Sequence, residues 1–258
     1  MKNLHLYEFP FNNKMRMFMR IEVCFEQIEY HMQHLHKWDI QACLAALMEL
    51  FKIIESNDLK NIFSKELEKH YANLSSYLKL SSSINTYKLT SILAEIEEAI
   101  ALLNITNNKI SRSMIESDPL LNNAWQKIFT NSIINPCDIP SYYYWLQQPM
   151  AICEQKIKEW LKHLEPIKIC IRLLLEITRE SSLFETKISN NGFYQQILNA
   201  QNICQLIRLQ VEGGCDYFPE VSGSKHRVNI RFMTYSHEDP KLVQTAHDIK
   251  FQVAACCM

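Results

Sequence analysis

The chain has 258 residues, 47% hydrophobic and 21% charged, a balance that excludes an intrinsically disordered protein and leaves room for one or two domains with a sizeable core. Its formal net charge is −1, so any basic site is local, which argues against a protein built around a strongly basic nucleic-acid-binding surface. All four glycines lie beyond residue 190, in no GxGxxG or GxxxxGKS/T arrangement, which removes the usual backbone cradles for nucleotide phosphates.

In chain order, "LHLYEF" (4–9) predicts a short strand that Pro10 stops. Phe18, Ile21, Phe25, Ile28, Met32 and Leu35 are then spaced 3, 4, 3, 4, 3, one apolar seam along a helix. Asp39 reads as the cap of a second helix striped by Ile40, Cys43, Leu47, Leu50 and Ile54. Asp58 reads as the cap of a third, carrying Phe63, Leu67, His70, Leu74 and Tyr77. "SSSINT" (81–86) breaks the chain, and Leu89, Ile92, Ile96, Ala99 and Leu103 mark a fourth helix. Residues 110–147 predict shorter helices divided by Asn135-Pro136 and Pro140; two more follow, at about 150–163 and about 166–180. The lack of glycine through residue 191 fits a helical region.

From about residue 183 the period changes from 3.6 to 2. Phe184, Thr186 and Ile188 alternate up to Asn191-Gly192, a tight-turn signal. Ile203, Ile207, Leu209 and Val211 alternate with Arg208, Gln210 and Glu212 up to Gly213-Gly214. "SGSKHRVNIRFM" (222–233) places Lys225, Arg227, Asn229 and Arg231 on one face and His226, Val228, Ile230 and Phe232 on the other. Ile249, Phe251, Val253 and Ala255 close the sheet. The expectation is an α+β protein: a mainly helical N-terminal domain over 11–181, followed by an antiparallel sheet in a domain of 1–10 plus 182–258, to which residues 4–9 add an edge strand.

Signals for chemistry are sparse. Nine cysteines, at 24, 43, 137, 153, 170, 204, 215, 256 and 257, contain no CxxC and are odd in number, which favours free buried thiols over a disulfide scaffold. His31, His34 and His36 bring no clear third and fourth metal partner and read as surface residues near a helix end. No GxSxG, HExxH or related signature occurs, and no cofactor is expected. No apolar run approaches about 20 residues and no secretory signal opens the chain, so the expectation is a cytoplasmic protein without a membrane span.

Cations are more informative. Arg16 and Arg20 sit about 160° from Phe18 on the helix wheel, an i, i+4 pair of like charges on the outer face. Each has a bland explanation in a local acid such as Glu22 or Glu26. The strand cations have one in the protection of an exposed edge, yet three on one face lean towards a surface for an anion or acidic peptide. The aromatics Tyr142, Tyr143, Tyr144 and Trp145 read as core, or as stacking platforms if the protein binds nucleic acid.

Four stretches, "YEFPFNNKMRMFMRIE" (7–22), "NNGFYQ" (190–195), "FPEVSGSKHRVNIRFM" (218–233) and "FQVAACC" (251–257), resemble the signatures of the ZapD family. The likeness runs along nearly the whole chain, strong at both ends and weak through 30–180. The resemblance implies a non-catalytic homodimer with a helical and a β domain. It also implies a partner: FtsZ, the tubulin-like GTPase of the bacterial division ring, bound through its acidic and apolar C-terminal tail and bundled at mid-cell. Carried over by position, Lys14, Arg16 and Arg20 match the family's first basic run, and Lys225, Arg227 and Arg231 its second. Where some relatives carry a basic residue near position 116 this chain has Glu116, and Arg112, one turn earlier, is carried over instead. The competing readings are a nucleic-acid binder using the same basic patch and an enzyme built on His or Cys.

Overall fold

The computed structural model describes residues 4–34, 36–80, 86–128, 139–198, 203–224, 226–236 and 241–257. Among them the helices are α1 (Asn13–Met32), α2 (Lys37–Glu55), α3 (Leu59–Leu80), α4 (Thr86–Ile105), α5 (Ile110–Ser117), α6 (Pro119–Ile128), α7 (Pro140–Leu146) and α8 (Met150–Glu180). The strands are β1 (Leu4–Pro10), β2 (Glu185–Ile188), β3 (Phe193–Ile197), β4 (Cys204–Glu212), β5 (Tyr217–Ser224), β6 (Arg227–Tyr235), β7 (Leu242–Gln244) and β8 (Lys250–Cys257). The protein is α+β, with two compact units: Met17–Leu174, and Met1–Arg16 together with Leu175–Met258. Leu35, the break at 81–85 and Asn135-Pro136 lie outside the described residues.

In the helical unit the 3–4 spacing of α1 buries Phe18, Ile21, Phe25 and Ile28 at 5% exposure or less. Helix α2 is buried nearly all round, from Ile40 through Leu44, Leu47, Met48 and Phe51 to Ile54, which makes it the central helix. Phe18 meets Phe63 of α3 edge to face at 5.5 Å, and Phe51 meets Trp125 of α6 at 6.5 Å. The start of α2 differs from expectation. Its cap is His36, and Asp39 is the third helical residue, whose carboxylate accepts a hydrogen bond from the His36 N–H at 3.1 Å. Asp58 behaves as expected, accepting the Asn61 N–H at 3.4 Å.

A second correction concerns the last helix. Two stretches were expected, at about 150–163 and about 166–180, yet α8 runs unbroken for 31 residues with Pro166 inside. An interior proline costs about 3 kcal/mol. Trp160, Leu164, Ile167, Ile171 and Leu174 continue one buried stripe across it. At about 1.5–3 kcal/mol for each large side chain, keeping that stripe in register outweighs the proline.

In the β unit the antiparallel region is divided into two sheets, in the orders β1-β4-β8-β2 and β3-β6-β5, with β7 also on β6. Residues 4–10 supply the expected edge strand, Tyr7 opposite Leu209. The sheets pack face to face over Ile207, Leu209, Val228, Ile230, Phe232, Phe251 and Val253. Aromatic contacts cross between them, Phe232 to Phe251 at 5.1 Å and Tyr194 to Phe251 at 5.3 Å. The Asn191-Gly192 turn is where the chain changes sheet. Both residues have positive φ, 47° and 73°, and Asn190 and Phe193 exchange hydrogen bonds of 2.8 and 2.9 Å across it. On the other face of the first sheet, the Glu8 carboxylate accepts from Arg179 at 2.7 Å and from Arg208 at 2.8 Å, tying the end of α8 to β1 and β4.

Candidate interaction surface

Strand β6 alternates as its sequence demands. Val228, Ile230 and Phe232 are buried in the sandwich, while Arg227 and Arg231 are exposed and Asn229 is partly so. His226, expected on the inner face, instead lies exposed in the turn before the strand. Its tight hairpin geometry wins over alternation, because β5 and β6 pair up to Ser224 and Arg227. Lys225 lies outside the described residues.

Directly paired residues share a sheet face, so the register assembles the surface row by row. Ile197, Arg227 and Ser224 form one row, Gln195, Asn229 and Ser222 the next, and Phe193, Arg231 and Glu220 the third. The Gln195 amide donates to Asn229 Oδ1 at 2.7 Å and holds the middle row. Beyond it lie Met233 and Phe218, with Tyr235 against Phe218 at 6.2 Å. Ile197 is 85% exposed and Tyr235 65%, unusual for large apolar side chains. Among the described residues neither Arg227 nor Arg231 closes an ion pair. The face therefore combines unspent positive charge with apolar patches that water does not favour.

The first basic run is partly joined to this hairpin. Asn12 caps α1 by accepting the Met15 N–H at 2.7 Å, and its amide donates to Gln205 Oε1 at 2.6 Å. Just before it, the Phe11 ring lies where a Cβ on Gly223 would sit, 2.5 Å from that position. Glycine is what allows this close approach of α1's lead-in to the β5–β6 hairpin. The half-buried Lys14 and the exposed Arg16 follow within the first turn. Arg20 belongs to the helical unit, where its guanidinium pairs with Glu49 of α2, which also lies 3.7 Å from Lys52. The sequence pointed to Glu22 or Glu26 as its acid; the partner is instead a residue brought in by packing. Arg112, also in the helical unit, pairs with Glu116 at 3.0 Å beside a shallow depression of about 590 Å³ lined by Asn107, Lys109 and Ser113.

Other sequence signals resolve into structure. His31 Nδ1 donates to Asp39 Oδ1 at 2.7 Å, and this bond holds the Asp39 carboxyl below the usual range. His34 contacts the Tyr30 carbonyl at 3.0 Å. Of the aromatic run, Tyr142 and Trp145 are buried and stack towards Trp160, leaving only Tyr143 and Tyr144 exposed. Half of the proposed stacking platform is thus core. Cys137 lies outside the described residues, and the other cysteines are free thiols. What sequence reading missed is the apolar company of the arginines: Phe193, Ile197, Phe218 and Tyr235. Their alternation was visible, but which strands flank β6, and in what register, was not.

Together these features define an α+β protein whose β-sandwich presents a mixed cationic and apolar face, suited to hold an extended acidic segment. The family model described as ZapD, cell division protein, matches residues 19–231, and the chain belongs to that family. A cell division protein ZapD from Methylococcus capsulatus is 32% identical over 259 residues, covering 100% of both chains. One from Coxiella burnetii is 30% identical, covering 97% of this chain and 96% of its own, and one from Ralstonia pickettii is 28% identical, covering 97% and 98%. No helix among the described residues is long and apolar enough to cross a membrane.

Proposed function

We propose that this protein binds FtsZ through its acidic, partly apolar C-terminal tail and crosslinks FtsZ filaments at the division site. It acts without catalysis, in the cytoplasm, as a homodimer with one tail site per subunit. The observation that carries this reading is the outer face of β6, where, among the described residues, Arg227 and Arg231 stand without an ion pair beside the exposed Ile197 and the half-buried Phe193 and Phe218. Lys14, Arg16 and Lys225 extend the cationic surface in the proposal. Arg20 and Arg112 of the helical unit are proposed as contacts in their own right, with charges already shared with Glu49 and Glu116.

The mechanism needs no reacting group. Each exposed ion pair contributes about 0.2–1 kcal/mol, so a single tail binds weakly and loses affinity with salt. A dimer facing a filament with a tail on every subunit gains from effective concentrations on the order of mM, which turns weak contacts into a crosslink. The test is co-sedimentation with GTP-polymerised FtsZ from the same bacterium, full-length and tail-deleted, at two salt concentrations. Pelleting with the tailed polymer alone, and less at high salt, supports the proposal. Equal pelleting without the tail removes the tail site, and no pelleting with either removes the partner.

A further inference from the structure

The edge of the sandwich where β4 begins and β8 ends carries a second feature. Cys204 of β4 is directly opposite Cys257 of β8, and the pairing reaches it through a β-bulge: Leu206 faces Cys256, whereas two residues earlier Cys204 faces Cys257. Strict alternation would put Cys204 on the outer face with Leu206. The bulge at Gln205, whose side chain and carbonyl hold Asn12 and Phe11, returns Cys204 to the inner face. There it joins the sandwich core, with Cys257 packed against it. Directly opposed residues of an antiparallel pair have Cα atoms about 4.5–5.5 Å apart, inside the range a disulfide spans. Cys256 points to the opposite face and Cys215 is remote in register, so neither competes.

We propose that Cys204 and Cys257 are a reversible redox pair, closing to an intramolecular disulfide when the folded protein meets hydrogen peroxide. Cys257, half-buried, is the sulfur that reaches solvent, and Cys204 is the buried resolving thiol. The Cys257 thiolate attacks one peroxide oxygen, the O–O bond breaks, and the departing hydroxide takes up a proton to leave as water. Cys204 then displaces the sulfenic hydroxyl, the S–S bond forms, and a second water leaves. Two thiols lose two electrons and two protons, and one peroxide becomes two waters; a dithiol reductant reverses the step. A hydrogen bond from Cys204 holds the Cys257 thiol down to about 7, while the same bond and burial push Cys204 up, which assigns the attacking role to Cys257. The closed loop, roughly 50 residues, contains β5 and β6, so oxidation staples the segment that bears Arg227 and Arg231.

The test uses the full chain under native conditions, treated with hydrogen peroxide, alkylated, digested and analysed by tandem mass spectrometry. The expected result is a Cys204–Cys257 linked peptide, two fewer titratable thiols, a thermal midpoint raised by about 5 °C or more, and full reversal by dithiothreitol. Cys256→Ala should leave the linkage intact and resolve it from its neighbour, while Cys257→Ser should abolish it. Cys257→Ala repeats that arm without depending on whether a Cys204 variant folds. A linkage through Cys215 or between two chains, a Cys257 sulfinic acid without a partner, or a link formed only in denaturant would overturn the proposal.

Discussion

Removing Arg227 and Arg231 one at a time and together should give additive, unequal losses of tail binding. The two are four residues apart on one strand face, about 13 Å at 3.3 Å per residue. That exceeds the screening length of about 8 Å at physiological salt, so each guanidinium acts on the ligand alone. An exposed pair contributes up to about 1 kcal/mol; taking about 0.6 kcal/mol, each removal weakens binding roughly 3-fold and the double removal roughly 8-fold. The register adds an asymmetry. Arg231 faces Glu220 across the strands, whereas Arg227 faces Ser224, so part of the field of Arg231 is already cancelled. Arg227→Ala should therefore cost more than Arg231→Ala, and Glu220→Gln should tighten binding. The assay is fluorescence anisotropy of a labelled FtsZ tail peptide against Arg227→Ala, Arg231→Ala, both together, and Glu220→Gln, at 0.05, 0.15 and 1 M salt. All differences should shrink as salt rises. A double variant that binds within about 1.3-fold of the parent, or an Arg231 loss larger than the Arg227 loss, would refute the reasoning.

Three stability predictions follow from partnered or strained positions. Glu8→Gln leaves the half-buried Arg179 and Arg208 without their carboxylate and should lower unfolding free energy by about 2–3 kcal/mol in urea titration, with tail binding measured separately. A loss below about 0.5 kcal/mol would mean that solvent already compensates both guanidiniums. Asp118 caps α6 through the Leu120 N–H at 2.9 Å and holds Lys156 at 2.8 Å and Trp160 Nε1 at 3.0 Å. Burial works to raise its pKa, and these hydrogen bonds outweigh it and lower the carboxyl below its ordinary 3.8. A depressed carboxylate stabilises the fold above its unfolded pKa, so its contribution should be constant above about pH 5 and vanish as pH falls through the native value. Asp118→Asn should flatten that acid limb, and an unchanged acid unfolding curve would count against the assignment. Gly192→Ala needs a non-glycine residue at φ +73° and brings a Cβ to 2.4 Å from the Thr245 carbonyl oxygen. It should cost about 2 kcal/mol or more in thermal unfolding, and a neutral substitution would show that the turn relaxes.

Periodicity carried most of the architecture in this chain. The stripe through Phe18, Ile21, Phe25 and Ile28 and the alternation of Val228, Ile230 and Phe232 are local patterns, because a helix or strand repeats its own geometry whatever packs against it. The turn at Asn191-Gly192 was equally legible, since two consecutive positive φ angles admit few residues. The cations on β6 were visible for the same reason. Where local rules were overridden, packing was the cause. Pro166 sits inside α8 because the buried stripe on either side outweighs its lost hydrogen bond, and His36 takes the cap from Asp39 because Asp39 serves its N–H in return. Which partner each charge meets was beyond the sequence. Arg20 finds Glu49, 29 positions away, and Glu8 gathers Arg179 and Arg208 from 171 and 200 positions away. The same holds for the division into two sheets, the apolar neighbours of Arg227, and the bulge that sets Cys204 opposite Cys257. Face and period are properties of one segment. Register, sheet order and charge pairing are settled only when distant segments compete for the same buried space, and the tertiary structure alone decides that competition.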